Sequence, residues 1–377
     1  MPAFTTLEPA IDPNNKISFL LDWELTLKCN LDCSYCPTTG PQPSHDNSTE
    51  HPRLEECLTT LDFMFEYVDL YMQHKPRALR QVVLNVYGGE SLHHPDIIPI
   101  LEQAHAKYNA KYRERWMLAV TTTTNAIVSS KTLAKIIPLI DEFTVSYHSE
   151  NTPKLKAQFK TNLLAIKESG RRMKCSVLMH NDPNLFADCE LMVAWCRDNN
   201  IRVLPRQLDD HTSSRWNYNK NQITWFNSVY QSRTHGQADS IPADNTVNLS
   251  DTGRACCGGR QVCQDQQYRE RKFYVLDNKF TDWYCSVNWF FLHVKQLQGD
   301  VYVNKDCRMR FDGTVGTIGN LKDSTAILST LKNQLDTKTL PIIQCKKPTC
   351  YCGLCSPKAS TLEKYKQIIS KYQKDYQ

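Results

Sequence analysis

Between residues 17 and 208 the chain alternates between short β-type runs and helical periods, and no other feature of the sequence restricts its fold as strongly. The runs are ISFLLDWELTLK (17–28), QVVLNVYGGE (81–90), WMLAVTTTTN (116–125), EFTVSYH (142–148), MKCSVLMH (173–180) and IRVLPRQL (201–208). Between the first two, Leu54, Cys57, Leu58, Leu61, Met64, Phe65 and Val68 recur at the spacing of one buried helix face. Further helices are predicted from Pro95 to Tyr108, Lys131 to Leu139 and Pro153 to Glu168, and over LFADCELMVAWCRDN (185–199). Strands separated by helices pair in parallel through crossovers, so the class is α/β, as an open doubly wound sheet or a full or partial barrel. In both architectures the active site lies at the C-terminal ends of the strands. Those ends carry Cys29 to Cys36, Gly88-Gly89-Glu90, Thr123 to Asn125, Ser146 to Ser149, His180 and Arg206-Gln207.

A length of 377 residues exceeds the usual single-domain size and predicts one large domain with a smaller one. The formal charge is +5, without a long run of Lys or Arg, so nucleic acid is not indicated. The start MPAFTTLEPAIDPNNK has no basic segment leading into an apolar one, and no later stretch has the roughly 18 unbroken apolar residues of a membrane span. The expectation is a soluble, cytoplasmic protein without a membrane partner, in which the triplets NST at 47 and NLS at 248 are accidents of composition. Sixteen cysteines in a large chain of this kind point to metal binding rather than disulfides.

Three of them stand in CNLDCSYC, as Cys29, Cys33 and Cys36. Thiolates spaced C-x3-C-x2-C can hold three irons of a 4Fe-4S cube and leave the fourth iron open to a small ligand. A structural zinc or a closed cluster takes four ligands, so a zinc completed by a distant His or Cys, or buried thiols without metal, stand as alternatives. CNLDCSYC after a first strand, with an aromatic residue before the third cysteine, resembles the signature of radical S-adenosylmethionine enzymes. YGGESL (87–92) resembles their Gly-Gly-Glu motif after the second strand. The resemblance covers about residues 17 to 208 and implies a partial (β/α)6 TIM-like barrel.

In that family the open iron chelates the amino and carboxylate groups of S-adenosylmethionine. The reduced cluster then cleaves the sulfonium to methionine and a 5'-deoxyadenosyl radical, which abstracts hydrogen from a substrate. The resemblance assigns Cys29, Cys33 and Cys36 to the cluster and Tyr35 to the neighbourhood of the adenine. Gly88 and Gly89, lacking a Cβ, would let the backbone approach the methionine moiety. Glu90 would accept from its ammonium group or from a nearby backbone N–H. Ser146 matches a polar position for the ribose or carboxylate. An Arg that often pairs with the carboxylate is replaced here by Lys154, Lys156 and Lys160, which carry charge without the fork geometry. For Asn125, His148 and Arg206, ordinary burial with hydrogen bonds competes with ligand contact.

After Asp209 the periodicity dissolves, and residues 209–252 read as a linker. Nine cysteines follow in residues 253–357: Cys256, Cys257, Cys263, Cys285, Cys307, Cys345, Cys350, Cys352 and Cys355. A hairpin is predicted in HVKQLQGDVYVNKDC, turning at Gly299-Asp300. This cysteine-rich, loop-rich segment resembles the SPASM auxiliary-cluster extension. Cys285, Gly299 and Cys307 would form its first part, Cys345 to Cys355 its second, and GTVGTIGNL (313–321) its Gly-rich stretch. One or two auxiliary 4Fe-4S clusters follow from the resemblance, against a zinc ribbon made from the last four cysteines. Cys57, Cys175, Cys189 and Cys196 read as buried thiols. Residues 1–16 form an N-terminal extension, and 358–377 a short lysine-rich helix with a solvated face.

Enzymes with this pairing modify peptide or protein side chains, and modification of a small metabolite or nucleoside is the alternative. The chemistry implies a one-electron donor such as flavodoxin or ferredoxin. Outside that class the rival is a zinc-stabilised binding module without radical chemistry.

Overall fold

The computed structural model describes residues 18–36, 50–75, 80–208, 218–232, 281–304, 316–345 and 358–372. Its first part runs β1 (Phe19–Thr26), α1 (Leu54–Gln73), β2 (Gln81–Gly88), α2 (Ile97–Lys107), β3 (Met117–Thr124) and α3 (Ser130–Ile136). It continues with β4 (Glu142–His148), α4 (Pro153–Glu168), β5 (Arg172–Met179), α5 (Pro183–Asp198) and β6 (Val203–Gln207). All six strands and five intervening helices fall where the sequence places them. β1 to β6 lie side by side in chain order and pair in parallel.

Helix starts follow local chemistry. Glu56 reaches back to the Arg53 backbone N–H before α1, while Thr152 with Pro153 and Asp182 with Pro183 open α4 and α5. The period of two then sorts each strand into two faces. Phe19, Leu21, Trp23 and Leu25 turn outward and are fully buried in one core with Cys57, Leu61, Met64, Phe65 and Val68 of α1. Each such side chain contributes about 1.5–3 kcal/mol of burial. Cys175, Cys189 and Cys196 are buried in the same core.

The sheet does not close. Its order is β10-β9-β8-β1-β2-β3-β4-β5-β6, an arc consistent with a partial barrel. The strand beside β1 is β8 (Phe291–Lys295), parallel to it from Leu20 opposite Phe291 to Glu24 opposite Lys295. β8 turns through residues 296–299 into antiparallel β9 (Asp300–Tyr302), and β10 (Gly319–Asn320) follows, so the hairpin is where the sequence predicts it. The indole Nε1 of Trp23 donates to Gln296 Oε1 at 3.0 Å and pins this turn to β1.

Two elements come from segments without an obvious pattern. α6 (Lys220–Ser232) lies within 209–252 and buries Phe226 against Phe186 and Tyr218. The Tyr218 hydroxyl donates to Met179 O (2.6 Å) and accepts from Leu208 N (2.9 Å), which ties α6 to the ends of β5 and β6. α7 (Ser324–Asp336) packs on α1 and adds Ile327, Leu331 and Leu335 to the common core. The terminal helix α8 (Leu362–Tyr372) is not solvated all round, because Tyr365 and Ile369 enter that core as well. A second sheet joins β7 (Tyr284–Cys285) to β11 (Ile343–Gln344) on one side and β12 (Lys358–Ala359) on the other. Among the described residues no helix is long and apolar enough to cross a membrane.

Because β8 completes the sheet, truncating a side chain there should weaken the whole molecule. Leu292 is fully buried, and Leu292→Ala is expected to cost about 2–5 kcal/mol. The tryptophan fluorescence and far-UV dichroism transitions in urea should shift together; a shift confined to one probe would separate the C-terminal segment from the sheet.

Candidate functional site

The cysteine loop leaves β1 at Thr26, and its root is fixed by contact with the end of β2. A Cβ on Gly88 would lie 2.0 Å from Thr26 O, and one on Gly89 would lie 2.4 Å from Leu27 O and 2.5 Å from Lys28 O. Two backbone bonds close this contact, from Gly89 N to Thr26 O (2.7 Å) and from Glu90 N to Lys28 O (2.9 Å). The glycines are therefore required by the chain itself. The place of each missing Cβ is taken by the backbone of Thr26 to Lys28.

Glu90 is fully buried. Its carboxylate accepts from Leu92 N (3.0 Å), Thr124 Oγ1 (2.7 Å) and Asn125 N (2.6 Å), joining the end of β2 to that of β3. Burial pushes the carboxyl up to about 7 against the pull of these donors. Asn125 passes the connection back to the cysteine loop. Its Nδ2 donates to Asn30 Oδ1 (2.8 Å), while Asn30 Nδ2 donates to Ile127 O (2.9 Å). Asn125 Nδ2 also lies 3.9 Å from Cys29 Sγ, and its Oδ1 accepts from Ile127 N.

On the opposite side the loop meets the ends of β4 and β5. His148 Nδ1 lies 3.4 Å from Cys33 Sγ and 2.9 Å from the Tyr35 hydroxyl, and the Tyr35 and His148 rings are stacked at 6.0 Å and 8°. Ser34 gives both its backbone N–H and its hydroxyl to the Glu150 carboxylate, while His180 Nε2 approaches Glu150 at 3.5 Å. Burial raises the Cys33 thiol to about 12, with Cys36, Cys29 and Glu150 adding to the rise and the Tyr35 hydroxyl opposing it. Cys29 rises to about 11 through burial, opposed by the Leu31 amide that donates to its sulfur at 3.4 Å. The three thiols are close enough to affect one another electrostatically. Among the described residues, however, no three Cys, His, Asp or Glu side chains converge on a single ion.

Ser146 is half-buried on β4, opposite Ser176 of β5, and Arg206 is exposed on β6. Two of the three α4 lysines turn toward α5. Lys156 pairs with Asp188 at 3.0 Å, and Lys160 sits over the Trp195 ring at 5.1 Å, both contacts reaching α5. Cys285 of β7 lies opposite Ile343 of β11, while Cys345, just past β11, donates its N–H to Trp283 O (2.8 Å). Cys256, Cys257, Cys263, Cys307, Cys350, Cys352 and Cys355 lie outside the described residues.

The reading by motif misses the inner face of the sheet. Asn85 donates to Asp22 Oδ1 (2.5 Å) and accepts from Thr121 (3.0 Å), Lys174 pairs with Glu142 (2.8 Å), and His293 Nδ1 of β8 lies 3.7 Å from Asp22 Oδ2. Strands of a parallel sheet covered on both faces are apolar throughout. Asp22 and Glu24 in FLLDWELT and Asn85 in QVVLNVYG were the signal that one face is polar.

No protein-family model matches the chain, and no curated protein is significantly similar to it in sequence. Solved structures do match in three dimensions. Native anSMEcpe with bound AdoMet superposes with a TM-score of 0.53 at 12% identity, over 84% of this chain and 82% of that one. The same protein with bound AdoMet and the Kp18Cys peptide gives 0.52 at 12% identity, over 86% and 82%. The chain shares the fold of this AdoMet-bound protein. Streptococcus suis SuiB matches over 77% of this chain at 13% identity with a TM-score of 0.43, and the chain spans 60% of SuiB's length.

Two substitutions probe the Gly-Gly-Glu step. Gly89→Ala should cost about 1–3 kcal/mol or more, because backbone must move to admit the methyl group, and denaturation in urea measures it. Glu90→Gln leaves a buried N–H donor facing donors. Ionising Glu90 in the folded chain costs stability as pH rises from its ordinary 4.5 to about 7. The stability of wild type relative to Glu90→Gln should therefore fall by about 3 kcal/mol over that window; a pH-independent difference would show that Glu90 titrates normally.

Proposed function

We propose that the chain is a radical S-adenosylmethionine enzyme, in which Cys29, Cys33 and Cys36 hold three irons of a 4Fe-4S cluster and the fourth iron takes S-adenosylmethionine. The observation that carries this reading is the cysteine loop, held at the C-terminal rim of an open parallel sheet by the ends of β2, β3 and β4. When bound and reduced, the cluster supplies the electron that cleaves the sulfonium and yields a radical able to abstract hydrogen from a substrate.

The chain's own residues do the positioning. Glu90 uses three of a carboxylate's roughly four acceptor sites within the fold and keeps one for an ammonium group. The Tyr35 and His148 rings form a flat wall beside Cys33, and Ser146 offers a hydroxyl at the same rim. Lys156 and Lys160 are engaged by α5, so of the three α4 lysines Lys154 remains for charge pairing with a ligand carboxylate. The polar inner face, with Asp22, Asn85, Thr121 and the Glu142–Lys174 pair, suits a polar substrate entering the arc. The peptide in the anSMEcpe structure supports a peptide or protein side chain as that substrate. An electron donor such as flavodoxin or ferredoxin would reduce the cluster, and Cys285 and Cys345 are the first candidates for an auxiliary one.

Anaerobic reconstitution with iron and sulfide should give a brown protein that bleaches on reduction and slowly cleaves S-adenosylmethionine without substrate. Cys33→Ala should abolish the cleavage. Colourless protein holding only zinc, or cleavage that survives the substitution, would overturn the reading.

A further inference from the structure

The proposed function leaves open what sets the electron affinity of the cluster. We infer that His148 is a positioning residue that donates an Nδ1–H hydrogen bond to the sulfur of Cys33 and so raises the reduction potential of the iron held there. The inference rests on the assignment of Cys33 as a ligand.

Three observations support it. His148 is the last residue of β4 and lies opposite Leu178 of β5, so its ring is set by the sheet rather than by the loop it touches. Nδ1 lies 3.4 Å from Cys33 Sγ, within range of an N–H···S bond, and 2.9 Å from the Tyr35 hydroxyl. The contact is also braced from outside, because Glu150, two residues after His148, holds both the backbone N–H and the hydroxyl of Ser34. The loop cannot move away from His148 without breaking those bonds. Cys29 is served by other donors, the Leu31 amide of its own loop at 3.4 Å and the Asn125 Nδ2 at 3.9 Å.

Hydrogen bonds to ligand sulfurs are a recognised lever on the potential of iron–sulfur centres. A reduced cluster carries one more negative charge, so a donor at its sulfur binds more strongly after reduction than before. The Nδ1–H tautomer is required. Tyr35 can then donate to the same sulfur or accept from the ring, so the dyad supplies a donor in either orientation.

The test is the midpoint potential of the cluster whose paramagnetic resonance signal shifts when S-adenosylmethionine is added, measured in the reconstituted full chain. His148→Phe keeps the ring and removes the donor. It should lower the reduction equilibrium constant about tenfold, a shift of about 59 mV to more negative potential for one electron. His148→Asn, whose amide N–H sits near the place of Nδ1, should return most of the shift. A change of less than twofold in His148→Phe, with the cluster retained, would overturn the inference. Should His148→Phe lose iron, His148→Asn is compared with His148→Gln, whose amide reaches the Nε2 position instead; equal potentials in those two would overturn it equally. Failure of the underlying assignment reads out separately, as a SAM-responsive signal that persists in Cys33→Ala.

Discussion

The backbone of Thr26 to Lys28 passes so close to Gly88 and Gly89 that no side chain fits between them, and the rest of the site takes its position from that contact. Strand ends in a parallel sheet are ordinarily loosely tied, since the ladder of hydrogen bonds stops there. Here two further backbone bonds carry the pairing of β1 and β2 beyond the sheet and into the cysteine loop. Glu90 extends the chain of contacts to β3, and Asn125 with Asn30 returns it to the loop. His148 and Glu150 complete the grip from β4. Four strand ends thereby hold one loop of eight residues, which is the pre-organisation that a multi-iron ligand set demands.

The two faces of the sheet do different work. Outward residues share one apolar core with the helices, and the stability of the fold rests there. Inward residues form a polar row in which Asp22, Asn85 and Thr121 bond to one another, Glu142 meets Lys174, and His293 approaches Asp22. Polar groups withdrawn from water are expensive unless paired. A row satisfied member by member is a stable way to keep the concave side hydrophilic beneath the cysteine loop.

The strand and helix order was legible from β1 to β6 because each element is long enough to show its period and the starts of α1, α3, α4 and α5 carry their own caps. The triad and the Gly-Gly-Glu step were legible as motifs, but not the reason for the glycines, since a close approach of two chain segments leaves no mark in one of them. Lys156 and Lys160 of α4 illustrate the same limit: their charge was visible, but their direction, toward α5, depends on packing. Asp22 and Asn85 were visible as polar residues in apolar strands and became informative only once the register set them on one face. α6 and the buried stripe of α8 were hidden because each has few apolar residues, all supplied with partners from distant parts of the chain. His148 lay at a strand end like several other polar residues, and only distance separates it from them.

The placement of β8 beside β1 has a consequence for biogenesis. β1, the strand that carries the cysteine loop, is the first of the sheet to be translated, and its outer edge is covered only when residues 291–295 have been made. At roughly 5–20 residues per second the edge stays bare for tens of seconds. Uncovered edges recruit other strands, and Asp22 and Glu24 on β1 make its inward face a poor template for apolar partners during that interval. Until then the cysteine loop hangs on a strand that lacks one neighbour, so its final support arrives only when the C-terminal hairpin has docked.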